Sequence, residues 1–373
     1  MVGRVVCVTG VAGFIGSHTA EALLKDGDVV VGLDDINDYY SVEQKLENLR
    51  ILSHLGGDRF KFYRQDIADS EAIRTIFASC QADGHSITHV CHLAARAGVR
   101  PSIQSPELYV STNVNGTVSM LEASRRYNVK NFVYASSSSV YGLNAKIPFA
   151  EDDNTDSPVS PYAATKKATE LLASTYAHLY QLPVTGLRFF TVFGPRGRPD
   201  MAPYMFVDRI ANGISINKFG DGTSSRDYTY IDDIVAGILS ALDTPRRCEI
   251  YNLGNHQTVT LNEFIHIVEK LVDRKAIINQ LPNQPGDVPI TYADLTKSSR
   301  DLGYKPTHTF ERGMTKFVKW YNEYRQQQMD AASSLLLLPP SLADCESEDS
   351  SGLDSSDVSG LESETETAMN VEV

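Results

Sequence analysis

The chain has 373 residues, 42% hydrophobic and 22% charged, as is ordinary for a soluble globular enzyme. Its net charge of −13 is localised: eleven of the 47 acidic residues and none of the 34 basic ones lie from Asp330 onward. The body is therefore close to neutral, and nothing in it suggests a nucleic-acid-binding face. No apolar run approaches the ~20 residues of a membrane-spanning helix. Cys7, Cys80, Cys91, Cys248 and Cys345 are scattered, without metal-ligand spacing. They suggest reduced thiols in a cytoplasmic protein and no metal site. The chain runs directly into Arg4-Val5-Val6-Cys7-Val8-Thr9, which leaves no room for a leader or anchor before it.

Short β-branched runs alternating with helical segments predict an α/β fold, a doubly wound parallel sheet covered on both faces. Strands are expected near 4–9, 28–34, 60–65, 88–93, 131–136 and 184–189. Helices are expected near 14–26, 70–80, 107–127 and 160–181. Beyond residue 194 the pattern loosens into a smaller C-terminal lobe. It has helices near 203–212, 232–242, 261–272 and 310–328 and strands around Lys218-Phe219 and at 249–253. Parts of this lobe are expected to complete the first sheet. The predicted division is 1–194, 195–329, and a disordered acidic tail at 330–373 that has too little apolar surface to fold.

Thr9-Gly10-Val11-Ala12-Gly13-Phe14-Ile15-Gly16 follows the first strand and opens a helix. Glycines in such a turn allow tight reversal and close backbone approach to a pyrophosphate, which sits at the helix N-terminus. Asp34 closes the second strand about 20 residues on, where a carboxylate takes ribose hydroxyls. A second acid, Asp35, adjoins it with no arginine nearby in sequence, which favours NAD over NADP. Asp66-Ile67 closes the third strand beside the expected adenine, and Leu93-Ala94-Ala95 closes the fourth with small residues along the cofactor.

Ser160-Pro161 starts a helix carrying Tyr162 and Lys166 at i, i+4, on one face. A free tyrosine titrates near pH ~10. A neighbouring ammonium and a cationic nicotinamide would favour its phenolate as a base near neutrality. Ser136-Ser137-Ser138-Ser139 closes the fifth strand and brings hydroxyls beside that phenol.

Together these motifs, with Asn113-Val114-Asn115-Gly116-Thr117 and Arg226-Asp227-Tyr228-Thr229-Tyr230, resemble the extended short-chain dehydrogenase/reductase family over about residues 1–325. The resemblance implies a Rossmann domain plus a small lobe for a nucleoside diphosphate sugar, and dimerisation through helices near 107–127 and 160–181. It implies Ser137 on the reacting hydroxyl and Tyr162 as acid/base. Lys166 would hold the nicotinamide ribose and lower the Tyr162 pKa, and Asn113 would support the cofactor-side network. Ser138-Ser139 stands where 4,6-dehydratases carry Asp-Glu, so the acids needed for dehydration are missing.

Arg188-Phe189-Phe190-Thr191-Val192-Phe193-Gly194-Pro195, Gly197-Arg198-Pro199-Asp200 and Gln284-Pro285-Gly286-Asp287 resemble UDP-glucuronate 4-epimerases more closely. On that resemblance Thr191 and Arg198 read the sugar carboxylate, Arg226 pairs the diphosphate, and Asp287 holds a hydroxyl of the UDP-sugar. UDP-glucose 4-epimerase and UDP-glucuronate decarboxylase share the scaffold and stay open, as does a non-catalytic NAD-binding protein. Arg96 departs from the glutamine usual in the family. It either adds a cation near an anionic substrate or stacks at the pocket rim.

Overall fold

In the computed structural model, which describes residues 3–282 and 290–336, the six expected N-terminal strands are all present. They are β1 (Val5–Thr9), β2 (Val29–Asp34), β3 (Phe60–Arg64), β4 (His89–His92), β5 (Asn131–Ser137) and β6 (Val184–Phe189). The later strands are β7 (Thr191–Phe193), β8 (Ile216–Phe219), β9 (Ser225–Tyr230), β10 (Cys248–Leu253), β11 (Thr258–Thr260), β12 (Ile278–Leu281) and β13 (Ile290–Thr291). The main sheet is parallel, in the order β10-β6-β5-β4-β1-β2-β3, and β10 is the returning strand expected from the second half. This is the doubly wound α/β architecture. The order reverses at β1, so the strand ends of β1, β2 and β4 open onto one crevice.

Twelve α-helices flank the strands among the described residues. Those used below are α1 (Phe14–Lys25), α2 (Val42–Gly56), α3 (Ser70–Ala82), α4 (Val99–Gln104), α5 (Pro106–Tyr109), α6 (Gly116–Arg126) and α7 (Pro161–Tyr180). Apolar clusters cover both faces of the sheet, one around Leu23, Val133 and Ile238, the other around Phe77, Met120 and Phe132. A third cluster, around Phe206, Phe264 and Phe317, packs the second half. There β11, β9, β13 and β7 form a small sheet, and β12 pairs with β8.

Three differences from expectation have physical causes. Helix α2 was not expected: on its buried face Gln44, Lys45 and Asn48 interrupt the apolar positions Leu49 and Leu52. Each of the three polar side chains donates to a carbonyl elsewhere, of Arg196, Asn37 and Ala12 respectively. The helix expected over 107–127 is two helices, α5 and α6, joined by a π-turn at Val110–Asn115. The last helix, Phe310–Leu336, runs past its expected end near 328 into the segment read as tail, and 337–373 lies outside the described residues.

One buried ion pair joins three elements. Arg188 on β6 donates from Nε and Nη2 to the two carboxylate oxygens of Glu170 on α7, at 2.8 and 2.9 Å. Ser136 on β5 donates to the same carboxylate at 2.7 Å, and the Arg188 guanidinium lies 4.8 Å above the Tyr141 ring. Both charged side chains are almost fully buried. Removing one partner strands the other charge, which typically costs ~3–5 kcal/mol. Arg188→Met should lower the unfolding free energy in urea by about that amount, and adding Glu170→Gln should recover part of it. A single-variant loss below ~1 kcal/mol would show that the pair carries no such weight.

Candidate active site

The strand ends and the second half enclose a pocket of about 530 Å³. Most of the expected site residues line it: Gly10, Gly13, Phe14, Ile15 and Gly16; Asp34, Asp35, Asp66 and Ile67; Leu93, Ala94, Ala95 and Arg96; Ser137, Ser138, Ser139, Tyr162 and Lys166; and Thr191, Arg198 and Arg226. Asn113 stands just behind it, buried, and Asp287 lies outside the described residues. A larger surface cavity of about 690 Å³ beside β10 and α7 holds none of the candidate residues, and Lys167, Glu170, Arg188, Glu249 and Lys297 in its lining pair with one another. Among the described residues no cluster of His, Cys, Asp or Glu could hold a metal.

The β1–α1 turn fits a dinucleotide. Gly10 has φ +69°, and a Cβ there would crowd the backbone of Ala94. A Cβ on Gly16 would fall 2.0 Å from the Gly10 carbonyl oxygen, so only glycine lets α1 start this close to β1. The first turn of α1 has no acidic residue, and no side chain caps it. The Phe14 N–H meets the Tyr40 hydroxyl, and the helix end favours the charge of a diphosphate. Thr9 Oγ1 accepts from the N–H groups of Leu93 and Ala94 at 3.1 and 3.0 Å, which curls the β4 exit around the turn.

At the β2 end Asp34 accepts from the N–H groups of Ala12 (3.0 Å) and Ile36 (2.9 Å). Burial pushes its carboxyl up from the ordinary value while those two donors hold it back. Each oxygen keeps a further lone pair for a ribose hydroxyl. Beyond it Arg96 reaches Asp35, Nη2 to Oδ2 3.6 Å, and Lys45 feels both carboxylates. The absence of an arginine near Asp35 therefore holds along the chain but not in space, because the sheet order sets the β4 exit close to the β2 exit. Arg96 accordingly faces the adenosine side of the pocket.

The reacting end is built on α7 and β5. Ser160 caps α7, its Oγ accepting from the Ala163 N–H at 3.1 Å. Lys166 is buried and donates to the Ala135 carbonyl at 2.8 Å, and its ammonium lies 6.0 Å from the centre of the Tyr162 ring. Burial pushes the Lys166 pKa down to about 8. Ser137 Oγ accepts from the Ser139 N–H (3.2 Å) and hydroxyl (2.9 Å), so two of the serines form one hydroxyl pair. Asn113 is the connector: its Oδ1 accepts from the Arg96 N–H (2.7 Å). Its Nδ2 donates to the Arg96 carbonyl (3.0 Å) and to Thr165 Oγ1 (3.0 Å), one residue before Lys166.

The opposite wall comes from β7 and β9. Thr191 lies in register with Tyr228. Arg198 pairs with Asp200 at 2.5 Å and donates to the Tyr39 hydroxyl at 3.3 Å. Next to Arg226, Asp227 is buried and accepts from the N–H groups of Asn255, His256 and Ala293 and from Thr229 Oγ1. Burial pushes its carboxyl up to about 6 against these four donors. Tyr39, Asn37, Lys45, Ser160, Phe190 and Tyr228 also line the pocket. Sequence reasoning missed them as pocket residues, although Phe190 and Tyr228 stood inside family motifs and Ser160 was read as a helix cap.

This geometry is that of an NAD-dependent reductase-type enzyme, and the comparisons agree. Residues 7–317 match the family described as GDP-mannose 4,6 dehydratase, and the chain belongs to that family, within the extended short-chain dehydrogenases/reductases. It is 45% identical over 317 residues to a UDP-glucuronate 4-epimerase of Thermodesulfobacterium geofontis, covering 85% of this chain and 95% of the relative. It is 45% identical over 350 residues to UDP-glucuronate 4-epimerase 4 of Arabidopsis thaliana, covering 89% and 78%. The structure of UDP-glucuronic acid 4-epimerase from Bacillus cereus with UDP-glucuronic acid and NAD superposes with a TM-score of 0.79 at 35% identity, covering 86% of this chain and all of that one.

Lys166 gives a pH signature with a definite sign. Its folded pKa, about 8, lies below the ~10.4 of an unfolded lysine. The cost of burying its charge is fully present below pH ~8. It is relieved between ~8 and ~10.4, where the unfolded chain holds a proton that the folded one has shed. In cofactor-free protein Lys166→Met should therefore raise stability near pH 7, by up to ~3 kcal/mol, and this gain should fade as pH rises toward ~10.5. Denaturant titrations at pH 7 and 10.5 check this, and a gain that does not depend on pH would contradict it.

Proposed function

We infer that the chain is an NAD-dependent 4-epimerase of UDP-sugars that interconverts UDP-glucuronate and UDP-galacturonate through a transient 4-keto sugar. The observation that carries this reading is the convergence in one pocket of Tyr162, Lys166 and Ser137 with Thr191, Arg198 and Arg226. The serines at 138 and 139 argue against dehydration, despite the name of the family. Bound NAD supplies the hydride acceptor and donor for C4. Tyr162 as phenolate takes the proton of the 4-hydroxyl and later returns it. The Lys166 ammonium favours the phenolate, and Ser137 holds the reacting oxygen. Arg226 pairs the diphosphate. Rotation of the keto sugar then presents its other face.

A 4-keto glucuronate is a β-keto acid and loses carbon dioxide when its carboxylate bond aligns with the carbonyl π system. Thr191 and Arg198 hold that carboxylate out of alignment. Asp200 and Tyr39 set the direction of the Arg198 guanidinium.

We read the active form as a cytoplasmic homodimer through the 107–127 region and α7. The exposure of Leu108, Val110, Leu171 and Leu179 on these helices supports this. None of the described helices is long and apolar enough to cross a membrane.

Incubation of purified protein with UDP-glucuronate, with and without added NAD, should yield UDP-galacturonate. UDP-xylose would identify a decarboxylase, and no turnover would favour a non-catalytic role. Tyr162→Phe should lower turnover by ~10²–10⁴ while still binding NAD and UDP-sugar. If it kept more than about a tenth of the wild-type rate, Tyr162 would not be the acid/base.

Arg198→Ala should lower kcat/KM for UDP-glucuronate by roughly ten- to a hundredfold, the value of a hydrogen-bonded charge. A weak UDP-glucose reaction should be almost untouched, and pentose products should appear from the unrestrained carboxylate. Equal losses with both sugars would place Arg198 at the diphosphate.

A further inference from the structure

We infer that Arg96 and Asp35 form a clasp across the adenosine–diphosphate half of the pocket, and that this clasp slows release of NAD. The proposal rests on the reading of the pocket as an NAD site. Arg96 starts from the exit of β4, and Asp35 directly follows β2. In the sheet these two strands flank β1, so their ends are roughly 10 Å apart, two strand spacings. An ion pair between the two residues must bridge the mouth of the β1–α1 glycine turn, where a diphosphate would sit. The two charges meet at 3.6 Å with side chains 17% and 32% exposed, so the link lies at the rim of the pocket and can open.

Both anchors are prepared for this. Asn113 grips the Arg96 peptide from both sides, N–H and carbonyl (2.7 and 3.0 Å). Asn37 holds the other Asp35 oxygen, with its N–H at 3.2 Å and its side-chain amide at 2.6 Å. The Arg96 Nε–H is buried without a hydrogen-bond partner among the described residues. A buried, unpaired N–H of a cation costs free energy unless an acceptor arrives, and cofactor phosphate or ribose oxygens are the acceptors that this side of the pocket would receive. The Ser137 hydroxyl ends β5, on the far side of β4 from Asp35. A guanidinium engaged with Asp35 is turned away from the Ser137 hydroxyl.

The test needs no substrate. Holoenzyme is diluted into an NAD scavenger, and the rate of cofactor loss is followed for wild type, Arg96→Ala, Arg96→Lys, Asp35→Asn and the Arg96→Ala/Asp35→Asn double variant. Melting of each protein with saturating NAD confirms folding. Release should quicken on the order of tenfold for Arg96→Ala and several-fold for Asp35→Asn, with the double variant no worse than Arg96→Ala. Arg96→Lys, which keeps the charge but loses the fork, should fall between. The KM for UDP-glucuronate should stay within about twofold throughout.

Unchanged NAD release with a KM raised about tenfold would overturn the clasp and return Arg96 to the substrate. Fast release in Arg96→Ala but not in Asp35→Asn would overturn it too, leaving Arg96 as a lone cofactor contact. Wild-type protein that takes up no NAD would defeat the cofactor reading itself, an outcome distinct from the other two.

Discussion

The site depends first on the buried pair between Glu170 and Arg188. Glu170 lies one turn beyond Lys166 and two beyond Tyr162 on α7, and it accepts from Ser136, the neighbour of Ser137 on β5. Arg188 lies three residues before Thr191 on β6. Tyr162, Ser137 and the strand leading to Thr191 are therefore all referenced to one bidentate contact. A hydrophobic contact in the same place could glue these elements together but would not fix their register. Fork-to-carboxylate geometry does, because each guanidinium N–H has only one favourable line to its oxygen.

A second set of contacts ties the sugar wall to the cofactor helix. Arg196 donates to Glu21 on α1 at 2.6 Å, and His18 on the same helix meets the Pro195 carbonyl at 2.8 Å. Burial beside the Arg196 cation drives the His18 pKa down to about 3, so this imidazole stays neutral and acts as a hydrogen-bonding spacer. Gln44 on α2 holds the Arg196 carbonyl. The loop that presents Arg198 is thus fastened to α1, beside the glycine turn. Asp227, with its four donors, ties the wall behind Arg226 to the segments at Asn255-His256 and Ala293.

What could be foreseen from the chain was what is local in it. The glycine turn, the acid twenty residues on, the Tyr162–Lys166 spacing and the serine run each carry their geometry within a few residues, so period and turn chemistry expose them. Arg188 was visible as part of a signature, but its partner was not, since Glu170 reads as an ordinary solvated acid on a helix. Helix α2 hid because polar side chains that satisfy distant carbonyls share its buried face with Leu49 and Leu52. Strand β9 went unseen for a related reason: Asp227 sits at its centre, and no pattern rule allows a buried carboxylate inside a short strand. The pairing of Arg96 with Asp35 is a product of sheet order alone.

The π-turn at Val110–Asn115 sets a limit on how this protein can change length. A π-turn holds one more residue than the α-turn it replaces, and it points Asn113 at both Arg96 and Thr165. Deleting any one residue from the turn would restore regular α-helix, with better backbone hydrogen bonds. The flanks would keep their phase, because the turn absorbs the extra residue, but the bulge that aims Asn113 would be gone. Asn113 would leave the β4 exit and α7, and two pieces of the pocket would lose their common tether. At this point the chain's most stable local structure and its working structure differ by a single codon, so homologues that shorten here would have to rebuild the connector from another residue.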